Sequence, residues 1–154
     1  MQNINIQIVT PEQAEEICRY IITTLPEWFG IPEANERYAK GCLLRTSFAA
    51  YLDEKNVGMI TLEFPFSQNA NIYWLAVDKN YHGKLIGTLL LQKAEQYCFE
   101  KGYFSLTVET LSPKHQDRSY LKTYQFYENN GFKPLFELQP YGPDYTMVYM
   151  QKNL

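Results

Sequence analysis

Tyr73–Gln92 reads YWLAVDKNYHGKLIGTLLLQ, and the fold of the chain turns on how this stretch is read. It opens with β-favouring residues in alternation, Tyr73, Leu75 and Val77 on one face and Trp74 and Ala76 on the other. A polar turn follows from Asp78 to Tyr81. Glycines at 83 and 87 then lead into apolar residues at helical spacing: Ile86, Leu89, Leu90, Ala94, Tyr97 and Cys98. The order is strand, turn, glycine loop and helix. Such a junction aims several backbone N–H groups at one point, at the positive end of a helix dipole. It is a natural seat for a phosphate or pyrophosphate.

Upstream, Ile4, Ile6 and Ile8 alternate with polar residues as a half-buried strand. Thr10-Pro11-Glu12-Gln13 has the form of a capping box with proline in the first turn. The helix it opens carries Ala14, Ile17, Cys18, Ile21, Ile22 and Leu25, and Pro26 stops it. A loop with Trp28, Phe29 and Gly30 between two prolines leads to a second helix from Glu33 to about Leu44. Thr46–Leu52 and Val57–Phe64 read as a hairpin around Asp53–Asn56, and Asn71–Val77 continues it as a meander. Downstream, Gly102 caps the central helix. Phe104–Thr110 is a strand that reaches the central one by a parallel crossover. A polar loop, Ser112 to Arg118, precedes a helix that Ser119 can cap and Gly131 ends. Phe132–Leu138 and Tyr145–Gln151 form the last strand pair. The expected fold class is α+β: a mixed, mostly antiparallel sheet with one parallel crossover and helices packed on it, as one domain over 1–154.

The chain has 154 residues, enough to bury roughly 68–70% of its unfolded surface without a disulfide or metal. Net charge is −3 with no basic run, which argues against nucleic acid as a partner. Cys18, Cys42 and Cys98 lack metal or disulfide spacing, so no metal is expected. No stretch approaches about 18 consecutive apolar residues and the first residues have no signal-peptide pattern, so no membrane association and a cytoplasmic location are expected.

The loop His82-Gly83-Lys84-Leu85-Ile86-Gly87 lacks the lysine of a Walker loop. It also lacks the GxGxxG spacing and repeated βαβ setting of a Rossmann fingerprint. With Leu75-Ala76-Val77 before it, the loop resembles the [Q/R]-x-x-G-x-[G/A] motif of the GCN5-related N-acetyltransferase superfamily. Phe126-Tyr127-Glu128-Asn129-Asn130-Gly131-Phe132 resembles that family's later motif, in the expected order and separation. Two positions depart from the first pattern: His82 stands where the family has Gln or Arg, and Leu85 stands for the middle glycine. Tyr120 occupies the place of an asparagine that many members use for the coenzyme, so no such ligand is carried over.

The resemblance implies acetyl-CoA as co-substrate. Leu75 and Val77 would hold the pantetheine arm, and His82, Gly83, Lys84, Leu85, Ile86, Gly87 and Thr88 would face the pyrophosphate. Tyr127 matches the family tyrosine that protonates the leaving thiolate; a phenol with a pKa near 10 keeps its proton at neutral pH. For the base, Glu63 at the end of the strand before the central one and Glu109 on the strand after the crossover helix are both candidates. Glu109 is preferred because its strand should flank the cleft, and water alone is a third choice.

The implied activity is acetyl transfer to a primary amine of a small molecule or peptide by direct attack in a ternary complex. The alternative from a different class is a silent module of the same fold that binds CoA or a protein partner; a nucleotide-binding enzyme is weaker still. Trp28, Phe29, Tyr38, Tyr141 and Tyr145 with Glu27, Glu33 and Glu36 suit a cation with an apolar body. The sequence is compatible with a homodimer.

Overall fold

A computed structural model describes residues 3–115 and 118–154; the middle of the polar loop 112–118 lies outside the described residues. Among the described residues, seven strands form one sheet: β1 Ile4–Val9, β2 Thr46–Leu52, β3 Lys55–Glu63, β4 Asn69–Val77, β5 Ser105–Leu111, β6 Lys133–Leu138 and β7 Met147–Asn153, in the order β1-β2-β3-β4-β5-β7-β6. Every neighbouring pair is antiparallel except β4 and β5, which are parallel. Among the described residues, four α-helices cover it: α1 Pro11–Thr24, α2 Pro32–Gly41, α3 Ile86–Glu100 and α4 Ser119–Asn129. The mixed sheet with a single parallel crossover is as the sequence pattern implies.

Local chemistry sets the element ends. Thr10 Oγ1 accepts from Gln13 N at 3.2 Å and Gln13 Oε1 accepts from Thr10 N at 2.9 Å, so the capping box is complete. The β2–β3 hairpin turns on two residues, Asp53 (φ 49°) and Glu54 (φ 69°), the left-handed pair that matches the twist of the strands. Gly131 (φ 92°) ends α4: Phe132 N bonds back to Tyr127 O at 3.0 Å, which turns the buried Phe132 ring against Tyr127. Ser119 does not cap α4. The cap is Arg118, one residue earlier, and no side chain accepts there.

The sheet separates two cores. On one face α3 and α4 bury Ile60, Leu62, Ile72, Leu90, Leu91, Leu106, Val108, Tyr127, Phe132 and Met150. On the other, α1 and α2 bury Cys18, Ile21, Cys42, Ala49, Met59, Trp74 and Ala76. All three cysteines are free and buried. Ile8 departs from the half-buried pattern read for β1 and is 60% exposed.

The main correction lies in β4. Opposite β3, Thr61 pairs with Trp74 but Leu62 pairs with Ile72, so Tyr73 is an extra residue without a partner. This bulge shifts the alternation. Tyr73 joins Trp74 and Ala76 on the α1/α2 face, while Leu75 and Val77 pack on the α3/α4 face with Ile72. Tyr73 therefore does not share a face with Leu75 and Val77. Its ring lies under the Arg45 guanidinium (3.8 Å to the centroid) and edge-on to Tyr38 (5.8 Å). Its hydroxyl donates to Arg37 O at 3.1 Å.

Gly41, the last residue of α2, is where Tyr73 fits: a Cβ there would sit 2.0 Å from the Tyr73 hydroxyl and 2.6 Å from Cζ. Gly41→Ala is expected to cost about 1–3 kcal/mol in urea unfolding, because the pinned ring must move. Placing it in a Tyr73→Ala chain should remove most of that cost. Additive losses in the double variant would mean that this contact is not the source.

Candidate active site

Pairing between β4 and β5 covers only Asn69–Ile72 against Ser105–Val108. It stops at the bulge, although β4 runs on to Val77 and β5 runs on to Leu111 against β7. From Tyr73 onward the two strands part, and the edge of β4 facing β5 has no strand partner. A fork open in mid-sheet leaves backbone polar groups that must be satisfied by solvent or a ligand.

The glycine loop lies at the wide end of this fork. Asp78, fully buried, accepts from Asn80 N at 3.0 Å and from the Tyr20 hydroxyl at 3.3 Å, and Lys79 N donates to Thr24 Oγ1, so the turn is pinned to α1. Beyond it, His82, Gly83, Lys84 and Leu85 are exposed. Gly83 (φ 79°) and Leu85 (φ 62°) are left-handed, and Leu85 is the N-cap of α3 with no side-chain cap. The first amide to bond back is Leu89 N, to Leu85 O at 3.0 Å. Among the described residues, the six backbone N–H groups from Gly83 to Thr88 have no protein acceptor. Six free donors at the start of a fifteen-residue helix make an anion seat. Leu85 keeps this geometry despite its side chain, which points to solvent (73% exposed).

His82 takes a different place from the one its motif position suggests. Its Nε2 donates to Val77 O at 2.8 Å, and its ring stands edge-on to Trp28 at 6.1 Å. Because a carbonyl only accepts, Nε2 carries the proton. On the far bank of the fork, the Tyr120 hydroxyl donates to Trp28 O at 2.6 Å. The α1–α2 loop thus crosses between the banks and touches both, a role for Trp28 that the sequence did not single out.

Tyr127 lies on the α3/α4 face, 4% exposed, between Phe126 (5.2 Å) and Phe132 (5.4 Å). Among the described residues its hydroxyl has no hydrogen-bond partner. Burial alone raises its pKa well above the ordinary value, so the phenol holds its proton. Gly87 lies close by; a Cβ there would meet Phe126 at 3.2 Å and Val77 at 3.8 Å.

The two carboxylates differ in their surroundings. Glu63 accepts from Arg45 Nε at 2.9 Å on one oxygen and from Asn71 Nδ2 at 2.8 Å on the other. Arg45 also donates to Gly41 O. Asn71 continues into a polar ladder: Thr107 Oγ1 donates to Asn71 Oδ1, Asn69 Nδ2 donates to Thr107, and Ser105 donates to Asn69 Oδ1. Glu109 lies one residue past the last β4–β5 rung, opposite Tyr149 in β7. Its Oε1 is buried and accepts no hydrogen bond. Desolvation and then its charge raise the pKa of Tyr38, Tyr141 and Tyr149, and a side-chain hydrogen-bond interaction with Glu109 adds to the rise at Tyr141 and Tyr149. Among the described residues, no group of His, Cys, Asp and Glu side chains is arranged to hold a metal, and no helix is long and apolar enough to cross a membrane.

Residues 14–132 match the model of the acetyltransferase (GNAT) family. No curated protein matches the sequence. Among solved structures, a GNAT-family putative acetyltransferase from Desulfovibrio desulfuricans is similar over 98% of this chain and 99% of its own, at 18% identity and a TM-score of 0.83. The ribosomal-protein-S18-alanine N-acetyltransferase of Escherichia coli is similar over 98% and 94%, at 15% identity and 0.79. The PaiA N-acetyltransferase of Thermoplasma acidophilum, solved with coenzyme A, is similar over 99% of both chains, at 20% identity and 0.75. At these identities the likeness is one of fold.

Leu85 holds a left-handed conformation that costs a side-chain-bearing residue about 1–2 kcal/mol. Leu85→Gly is expected to leave stability unchanged or raise it by up to about 1 kcal/mol, since glycine's greater unfolded-state entropy offsets part of the relief. Leu85→Val, β-branched, should lower stability. Thermal unfolding of the two variants checks the opposite signs.

Proposed function

This chain belongs to the acetyltransferase (GNAT) family, and from that we propose that it transfers the acetyl group of acetyl-CoA to a primary amine within a ternary complex. The observation that carries the reading is the run of six free N–H groups from Gly83 to Thr88, set at the wide end of the β4–β5 fork. The amides of Gly83, Lys84, Leu85, Ile86, Gly87 and Thr88 bind the pyrophosphate, with the positive end of α3 behind them. The unpaired edge of β4 at Leu75 and Val77 takes the pantetheine arm by backbone hydrogen bonds. His82 covers Val77 O until that arm arrives, rather than contacting a phosphate.

Acetyl-CoA supplies an acyl group on a good leaving thiolate. The chain's own residues do the rest from opposite faces of the sheet. An N–H of the open β4 edge stabilises the developing oxyanion. Glu109, beside the fork on the α1/α2 face, takes the proton of the attacking amine directly or through water. As the amine nitrogen bonds to the acetyl carbon and the carbon–sulfur bond breaks, Tyr127 on the α3/α4 face gives its proton to the sulfur. Glu109 is preferred to Glu63 as base because both Glu63 oxygens are held by Arg45 and Asn71.

Calorimetric titration with acetyl-CoA, with ATP and NAD as controls, tests the seat: selective binding supports it, and absence of binding removes the enzymatic reading. Binding with no turnover on any amine would favour a silent coenzyme-binding module.

Tyr127→Phe is expected to lower kcat by roughly 10²–10⁴-fold with little change in KM for acetyl-CoA. Because burial raises its pKa, Tyr127 should add no alkaline limb to kcat below about pH 10. A limb near pH 9 that vanishes in Tyr127→Phe would contradict the raised pKa, and full activity in Tyr127→Phe would remove the acid assignment.

A further inference from the structure

His82 occupies a backbone acceptor on the open edge of β4. Gly58 and Val77 pair across β3 and β4, and the bond that closes the ladder there lies outside that pair, from Asp78 N to Val57 O at 2.9 Å. In an antiparallel ladder such a pair turns its own N–H and C=O away from the neighbouring strand. The Val77 groups therefore face the fork, where β5 has already stopped pairing at Ile72–Val108. The Nε2–H of His82 reaches back to this carbonyl at 2.8 Å. A side chain thus makes, within the chain, a hydrogen bond that an extended ligand along β4 would otherwise make.

The hold is preorganised. Between Val77 and His82 the chain makes one tight turn: Tyr81 N donates to Asp78 O at 2.9 Å and His82 N to Lys79 O at 3.4 Å. Buried Asp78 and the bond from Lys79 N to Thr24 Oγ1 fix that turn on α1. Lys79 Nζ donates to Glu27 at 2.9 Å, which ties the turn to the α1–α2 loop as well. Trp28 of the same loop stands edge-on to the imidazole at 6.1 Å, and its carbonyl accepts from Tyr120 of α4 at 2.6 Å. The imidazole is set between a carbonyl of β4 and an indole tethered to α4. His82 is nonetheless exposed, so rotation about its side-chain bonds alone frees Val77 O. The backbone from Gly83 to Thr88, with its row of unpaired amides, need not move for this to happen.

We infer that His82 is an autoinhibitory latch on the coenzyme edge: it competes within the molecule for Val77 O, so a ligand with a pantetheine arm must displace it, while a bare nucleotide in the amide seat does not. The inference rests on the acetyltransferase reading and adds that His82 sets coenzyme affinity by opposing it. A site whose competent form is only partly populated binds more weakly by that fraction. One net intramolecular hydrogen bond corresponds to roughly 2–10-fold in such an equilibrium.

Calorimetric titration of the full chain with CoA, and with 3′-phosphoadenosine 5′-diphosphate as the same nucleotide without the arm, tests the latch. His82→Ala removes the donor, and His82→Phe removes it while keeping a ring against Trp28. Both variants are expected to bind CoA roughly 2–10-fold more tightly than the wild type, with affinity for the bare nucleotide unchanged. CoA bound equally or more weakly by both variants overturns the latch and leaves the acetyltransferase reading standing. A gain in His82→Ala that is absent from His82→Phe also overturns it, because the bulk of the ring and not its hydrogen bond would then be the obstacle. A parallel gain for the bare nucleotide overturns it too, since His82 would then act on the amide seat. If neither ligand binds the wild type or either variant, the latch and the acetyltransferase reading fall together.

Discussion

The rung that β4 and β5 do not make beyond Ile72–Val108 is the constraint on which the rest of this molecule depends. One extra residue, Tyr73, turns β4 so that it can no longer pair with β5. The sheet becomes two half-sheets, β1–β4 and β5–β7–β6, joined by only the pairs from Asn69–Ser105 to Ile72–Val108. So short a join needs reinforcement. The side chains of Asn69, Asn71, Ser105 and Thr107 supply it by bonding across the same rungs, with Glu63 and Arg45 extending the chain to α2. At the open end, Trp28 touches His82 on one bank and Tyr120 on the other. The fork is thus stapled at its closed end and bridged at its open end. A cleft can stay open in mid-sheet without the halves sliding together.

The glycine loop follows the same logic of leaving groups unused. A helix start normally recruits a serine, threonine or aspartate to satisfy its first amides. α3 begins instead at a left-handed leucine with no capping side chain. The chain accepts backbone strain at Leu85 and forgoes a cap there, while Thr10 caps α1 fully. α2 and α4 also start without a capping side chain, so what sets α3 apart is its left-handed, non-glycine N-cap at the end that faces the fork.

Much of this was legible in the sequence. The strand–turn–glycine loop–helix order, the capping box at Thr10 and the Gly131–Phe132 stop each rest on local rules that tertiary packing did not override. The bulge was missed because a period-two reading assumes an unbroken beat. The signal was present: the aliphatic residues fall on Ala70 and Ile72, then on Leu75 and Val77, a slip of one position around the Tyr73-Trp74 pair. The sequence favoured Glu109 over Glu63 by strand position alone, and the hold on Glu63 that adds to that preference was not legible. It depends on Arg45, eighteen residues before Glu63 in sequence and joined to it only when β2 and β3 pair. The hydrogen bond that His82 makes was not legible for a related reason, since its partner is a backbone carbonyl that no motif records.

The placement of the two proposed proton-transfer groups has a consequence of its own. An acid and a base in direct contact exchange their proton with each other, and neither is then ready for substrate. Here the sheet stands between them. The charge of Glu109 reaches Tyr38, Tyr141 and Tyr149 on its own side, whereas the pKa of Tyr127 is raised by burial alone. The phenol therefore keeps its proton whatever the state of Glu109. In the proposed reaction the amine and the thiolate are therefore each served by a group that the sheet keeps from the other.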